Sequence, residues 1–276
     1  MTTMPRTVVI TGASDGIGAA AARRLHADGH RVVVVGRSPE KTRAVADELG
    51  AESHVADFAR LDDVRALAAD LATLGHIDVL ANNAGGIFGE RSVTVDGFEK
   101  TLQINHLAPF LLTALLLDTL LASGGTVVNT SSAAAKAFGS LDLADLGNEA
   151  AYTPRKAYGD SKLANILHAR ELHARFAGLG LAAAAFHPGG VATNFAVDST
   201  SRMRWVYHTP LRRVLLSAEK GADTLIWLAE GRAGRDWRSG EYYEKRKVAP
   251  TNPQADDDAL ARALWERSAE MVGVPA

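Results

Sequence analysis

A phenol and an ammonium on one helical face can move a proton between them. This chain sets Tyr158 and Lys162 four residues apart at the head of YGDSKLANILHARELHARF, a run of helical composition. A cation beside the phenol favours phenolate and draws it down from the usual tyrosine pKa of about 10, toward values useful near neutrality. The spacing Tyr-x-x-x-Lys occurs three times in the chain. In the first copy, Tyr152 and Lys156, the intervening Pro154 disfavours helix at Thr153, so the two side chains are not expected on one face. The third copy, Tyr243 and Lys247, falls in SGEYYEKRKVA, which reads as a strand; there residues four apart share a side but lie ~13 Å apart. Only the middle copy opens an uninterrupted helical pattern.

Two further groups of residues suit chemistry. TGASDGIG puts Gly12, Gly16 and Gly18 where a strand-like run ends and a helix begins. Glycines there let the backbone turn sharply and approach a pyrophosphate, whose charge is favoured by free N–H groups and the positive end of the helix dipole. A purely structural turn is the alternative. Ser132 ends GTVVNTSS and is placed to donate a hydrogen bond to a reacting oxygen. Ser131 is its rival, and the hydroxyl not so used is expected to be satisfied by local backbone.

The elements that must position these residues follow from the alternation of β-branched runs with alanine- and leucine-rich segments, the signature of βαβ units around a parallel sheet. Strands are expected at 7–10, 32–35, SHVA, IDVLAN, GTVVNTSS and LAAAAFHPGG, and helices at 19–28, 39–49, 62–74, 107–122, from Tyr158 onward, and 256–272. No linker or repeat interrupts them. The expected fold is therefore α/β: a single-domain (1–276), Rossmann-like, doubly wound parallel sheet with helices on both faces.

With 276 residues and 47% hydrophobic content the chain can bury a large core, and its net charge of −2 carries no footprint for nucleic acid or an anionic membrane. Cysteine is absent, which removes disulfides, thiolate zinc sites and a cysteine nucleophile, suits a reducing compartment and leaves no metal site expected. No export signal is read at the N-terminus, so the expected location is cytoplasmic. LAPFLLTALLLDTLLA, residues 107–122, is interrupted by Pro109 and Asp118 and falls short of the ~20 residues a membrane span needs. A buried or interface helix is expected.

Collectively TGASDGIG, Asp57, the NNAG at 82–85, Asn105, the serine pair, YGDSK and HPGGVAT at 187–193 resemble the short-chain dehydrogenase/reductase family over nearly the whole chain. More narrowly, GSLDLADL, AYGDSKLANILHARELHARF and SGEYYEKRKVA resemble its retinol-dehydrogenase-like branch. The resemblance implies hydride transfer between nicotinamide and a carbonyl or alcohol, with Asn105, Ser132, Tyr158 and Lys162 catalytic, and Asn105 holding a water that links Lys162 to solvent. It implies a dinucleotide lying along Gly12, Ser14, Asp15, Gly16, Ile17 and Gly18, with Arg37 at the adenosine end, Asp57 and Phe58 beside adenine, and Asn83, Ala84 and Gly85 beside ribose. Tyr158, Lys162, Pro188, Gly189, Val191 and Thr193 would surround nicotinamide. It further implies bulky hydrophobic substrates of retinoid, steroid or aromatic-ketone type, and a homo-oligomer, dimer or tetramer. Ser132 and Tyr158 stand 26 positions apart, with DLADLGNEAAYTPR between them; that insert is expected to loop over the surface and form one wall of the substrate entrance.

Cofactor choice turns on the end of the second strand, VVVVGRS, where an acidic residue would bind the adenosine ribose hydroxyls and repel a 2′-phosphate. Gly36 occupies that place and Arg37 follows with a guanidinium fork, favouring NADP(H) over NAD(H), with Asp15 a contrary sign. His187, at a strand end, is expected to be structural. The segment 194–216, with Phe195, Met203, Trp205 and Tyr207, is expected to cover the substrate. A non-catalytic nicotinamide-binding regulatory protein of the same fold is the rival reading, which the intact set of Asn105, Ser132, Tyr158 and Lys162 disfavours.

Overall fold

The computed structural model describes residues 4–190 and 216–276. One sheet draws on strands β1 (Thr7–Thr11), β2 (Arg31–Gly36), β3 (Glu52–Val55), β4 (Val79–Asn82), β5 (Thr126–Thr130), β6 (Ala182–His187), β7 (Tyr242–Glu244) and β8 (Lys247–Val248), in the spatial order 3-2-1-4-5-6-7-8. Every pairing from β1 through β7 is parallel, and β8 alone runs antiparallel, against β7. Chain order reverses between β1 and β4, so a crevice opens beyond their carboxyl ends.

Buried Val and Ala runs such as Val32–Val35 and Ala182–Ala185 have apolar partners on both faces because helices cover both. On one face pack α1 (Gly16–Ala27), α2 (Pro39–Leu49) and α9 (Ala218–Glu230). The other face carries α3 (Leu61–Ala72), the helical stretch α4 (Lys100–Leu102), α5 (Ala108–Leu115) and α6 (Leu117–Ala122), then α7 (Ala134–Phe138), α8 (Pro154–Phe176) and α10 (Asp258–Val272). The doubly wound sheet expected from the sequence is thus present. Among the described residues, no helix is long and apolar enough to cross a membrane.

Three local expectations are corrected. SGEYYEKRKVA is a tight hairpin, with Lys245 and Arg246 at φ 51° and 61° between β7 and β8. Both central residues of such a turn need positive φ, which Asn-Gly would have announced and Lys-Arg does not. Helix α8 starts four residues before Tyr158, at Pro154: proline suits the first helical position, and Thr153, extended at φ −136°, accepts a bond from Lys156 N as the cap. The stretch 107–122 is the later part of a longer helical run that begins at Lys100, passes through a π turn at Gln103–Leu107 and breaks at Leu116.

Candidate active site

Every expected site residue that the structure describes lies at the carboxyl edge of the parallel strands or on the adjoining helix. Val191, Thr193 and, apart from Leu216, the segment 194–216 lie outside the described residues.

The glycine turn is built for close approach. Gly12 has φ +67°, and a Cβ there would meet Ala84 Cα at 2.8 Å; a Cβ on Gly18 would strike the Gly12 carbonyl. Thr11, which sequence reasoning passed over, ties the exit of β4 to β1. Its hydroxyl accepts from Asn83 N and Ala84 N at 3.0 Å each, and its carbonyl accepts from the Asn83 amide at 2.9 Å. Asp15 caps α1 by accepting from Gly16 N at 2.7 Å, while Ile17 and Gly18 offer first-turn N–H groups that have no partner within a helix. These features fit a pyrophosphate lying across the turn.

At the end of β2, a Cβ on Gly36 would fall on the Thr42 hydroxyl and within 2.9 Å of Ser14 Oγ. Position 36 therefore has no space for the acid that would favour NAD. Arg37 is exposed beside it, and Lys41 pairs with the Asp15 carboxylate at 3.2 Å. That exposed pair is worth at most about 1 kcal/mol, but it offsets the negative charge of the loop. Asp57, half-buried, accepts from Ala59 N at 3.0 Å. Phe58 has its side chain in the core, so only its backbone can face a ligand there.

Lys162 and Asn105 converge. A Cβ on Gly85 would lie 2.8 Å from Asn105 Oδ1 and 3.1 Å from Lys162 Nζ, so a bare glycine is what lets the two approach. The Asn105 amide donates to Gly86 O and to Ser161 Oγ at 3.0 Å each, and its Oδ1 accepts from Gly86 N at 2.8 Å. Pro109, four residues on, has no N–H, so the ordinary helical bond to the Asn105 carbonyl cannot form, and Asn105 lies within a π turn. Lys162 is 1% exposed; its Nζ donates to Thr130 O at 3.0 Å and stands 5.6 Å from the centre of the Tyr158 ring. Burial pushes the ammonium down from 10.5 to about 7, so near neutrality it is only partly charged, and its support for a tyrosinate grows as pH falls toward and below that value.

Ser131 is buried and its hydroxyl donates to Lys162 O at 2.7 Å, the structural role expected for one member of the pair. Ser132 is half-buried, with Oγ accepting from Ala134 N at 3.1 Å. Gly159, unremarked in the sequence, brings α7 onto α8 beside Tyr158: a Cβ there would sit 2.7–2.9 Å from backbone atoms of Ala134, Phe138 and Gly139. The insert runs over the surface as expected, mostly exposed or half-buried, but it is pinned to the body of the protein: Leu146 and Asn148 are buried, Arg91 pairs with Glu149 at 2.8 Å, and Tyr152 reaches Gly89 O at 3.3 Å. Pro154 and Arg155 belong to α8. Pro188 and Gly189 sit at the end of β6, where the ring of His187 accepts from Gly189 N at 3.4 Å and burial lowers its pKa. Among the described residues, no three His, Asp or Glu side chains gather as a metal site.

This geometry has known counterparts. The short chain dehydrogenase family model matches residues 6–204. A Streptomyces sp. (strain C5) protein, named provisionally as daunorubicin C-13 ketoreductase DnrU, is 43% identical over 97% of this chain and 93% of its own. Human retinol dehydrogenase 11 is 35% identical over 98% of this chain and 86% of its own. The crystal structure of an uncharacterized protein from Mycobacterium paratuberculosis superposes with TM-score 0.80 and 34% identity, over 98% of this chain and 95% of that one. The Pseudomonas aeruginosa RhlG/NADP active-site complex superposes with TM-score 0.70 and 25% identity, over 87% and 95%. The chain belongs to the short-chain dehydrogenase/reductase family, within its retinol-dehydrogenase-like branch.

Proposed function

We propose that this protein is a cytoplasmic NADP(H)-dependent oxidoreductase that interconverts a bulky, hydrophobic ketone or aldehyde with its alcohol. The observation that carries the reading is the buried convergence of Lys162 and Asn105 on Gly85, with Tyr158 on the same helical face as Lys162. We read residues 1–276 as one domain, since a single sheet draws on strands from Thr7 to Val248.

A nicotinamide bound here would supply hydride to the carbonyl carbon or accept it from the alcohol. The first-turn amides of α1 and the turn at Gly12 would hold its pyrophosphate, and Asn83 to Gly85, Pro188 and Gly189, with Val191 and Thr193, would line the rest of it. Arg37 and Lys41 favour a 2′-phosphate where Gly36 admits no acid. Ser132 donates to the substrate oxygen and Tyr158 delivers its proton during reduction. Lys162, hydrogen-bonded to Thr130 O, and a water on the Asn105 carbonyl return a proton to Tyr158. Oxidation reverses each transfer. The bulky substrate class rests on the retinol dehydrogenase and ketoreductase names of the relatives.

The test is NADPH oxidation and NADP⁺ reduction, each beside its NAD counterpart, with all-trans-retinal, steroid and aromatic ketones and the matching alcohols. Turnover with NADP(H) that falls at least about 100-fold in Tyr158→Phe, with cofactor affinity kept, is the expected result. Tight NADPH binding without turnover on any substrate would instead favour the regulatory reading.

A further inference from the structure

The residues just before α10 lie beyond the stretch that the family model matches, yet they reach into the wall of the site. Asn252, 7% exposed, donates both amide hydrogens to backbone carbonyls: Ala135 O at 3.0 Å and Gly139 O at 2.7 Å. Its own Oδ1 accepts from Gln254 N at 2.9 Å. Gln254 then pairs with the backbone of Leu141 in both directions, accepting from its N–H at 2.9 Å and donating to its carbonyl at 3.1 Å. Two side chains thus bind α7 at Ala135, Gly139 where it ends, and Leu141 just ahead of the insert.

α7 needs that support. It is five residues long and too short to hold itself as a helix. It starts two residues after Ser132, whose hydroxyl accepts from Ala134 N. On its other side it rests on α8 at Gly159, next to Tyr158. α7 is therefore held between the tyrosine helix and the 252–254 segment.

We propose that Asn252 and Gln254 are positioning residues for Ser132: by fixing α7 against α8 they set where the Ser132 hydroxyl stands relative to Tyr158. The inference rests on the proposed reaction insofar as Ser132 holds the reacting oxygen. Displacement of a catalytic group by about 1 Å can cost on the order of 100-fold in rate, so partial loosening of α7 is expected to be visible in kcat.

The experiment compares Gln254→Ala, Gln254→Glu and Asn252→Ala, each alone and combined with Ser132→Ala, using NADPH and whichever carbonyl of the panel the wild type reduces. Gln254→Ala and Asn252→Ala should lower kcat about tenfold with an unchanged Kd for NADPH, and Gln254→Glu, which keeps the acceptor for Leu141 N–H but sets a carboxylate oxygen against the Leu141 carbonyl, should lose at least as much. In the Ser132→Ala background the same changes should cost nothing further, because they act through a hydroxyl already gone. Losses that multiply in that background, or no loss in the Ser132 protein, overturn the proposal. Amide hydrogen exchange of the same proteins decides the placement even if the wild type reduces nothing, the outcome that would sink the proposed reaction instead. Faster exchange confined to residues 132–147, with 158–165 unchanged, supports it; unchanged or uniformly faster exchange overturns it.

Discussion

Position 36 shows how a single atom's worth of space bears on cofactor choice. The Thr42 hydroxyl, donating to Ser38 O at 2.7 Å, occupies the volume that any side chain at 36 would need, and Ser14 closes the other side. An aspartate grafted there to recruit NAD is therefore expected to destabilise the protein by about 1–3 kcal/mol, read as a lowered Tm, without making NAD the preferred cofactor. Adding Thr42→Ala should restore part of the Tm, the contact with Ser14 remaining. A Gly36→Asp protein with wild-type Tm and a preference for NAD would contradict both the crowding and the NADP(H) assignment. At the same scale, Lys162 qualifies what Tyr-x-x-x-Lys alone implies: burial leaves its ammonium only partly charged near neutrality, so proximity in sequence does not by itself set how strongly the tyrosine is activated.

Among the elements, α7 and α8 meet where no side chain intervenes. Because a Cβ at Gly159 would lie 2.7 Å from the Phe138 carbonyl carbon and 2.8 Å from Gly139 N, both backbone atoms, α7 must move before alanine fits. Gly159→Ala should raise intrinsic helix propensity and yet lower Tm, by an overpacking cost of about 1–3 kcal/mol, and cut kcat at least about tenfold while NADPH still binds. Unchanged kcat in a folded Gly159→Ala protein would mean that the α7–α8 contact does not set the Ser132–Tyr158 geometry. The π turn at Gln103–Leu107 belongs to this scale as well. Pro109 removes a helical donor, and the chain responds by widening the helix at Asn105, the residue that reaches Gly86, Ser161 and the neighbourhood of Lys162.

The whole molecule carries a cost that becomes visible in acid. His106 and His168 are buried between α5, α8 and α10 among Phe110 and Trp265, with His106 Nε2 2.9 Å from Ser268 Oγ and His168 Nδ1 3.2 Å from the Asn129 amide. Desolvation lowers His106 to about 4; it lowers His168 well below its ordinary value, with the charge of His106 adding to the effect. The unfolded chain binds protons below about pH 6.5 that the folded one refuses, so this stability is present above that pH and lost as pH falls toward 4, by roughly 3 kcal/mol for His106 alone. Tm should drop steeply over that window, and His168→Phe, packing against Phe110 and Trp265, should flatten the drop; an identical slope in the variant would place the acid sensitivity elsewhere. The sequence by itself determined the βαβ order, the two-sided sheet, the glycine turn and the placing of Tyr158 with Lys162 on one helical face, because hydrophobic period, proline and glycine act through local backbone geometry and residues near in sequence. The β7–β8 hairpin escaped it because Lys245 and Arg246 take positive φ without the usual turn residues, and the start of α8 escaped it because Pro154 reads equally as a breaker and as a first helical residue. Only the tertiary structure decided that Asn105 meets Lys162 at Gly85, that Thr42 fills position 36 and that Asn252 holds α7, since each is a contact between segments whose separation in sequence carries no periodic or compositional signal.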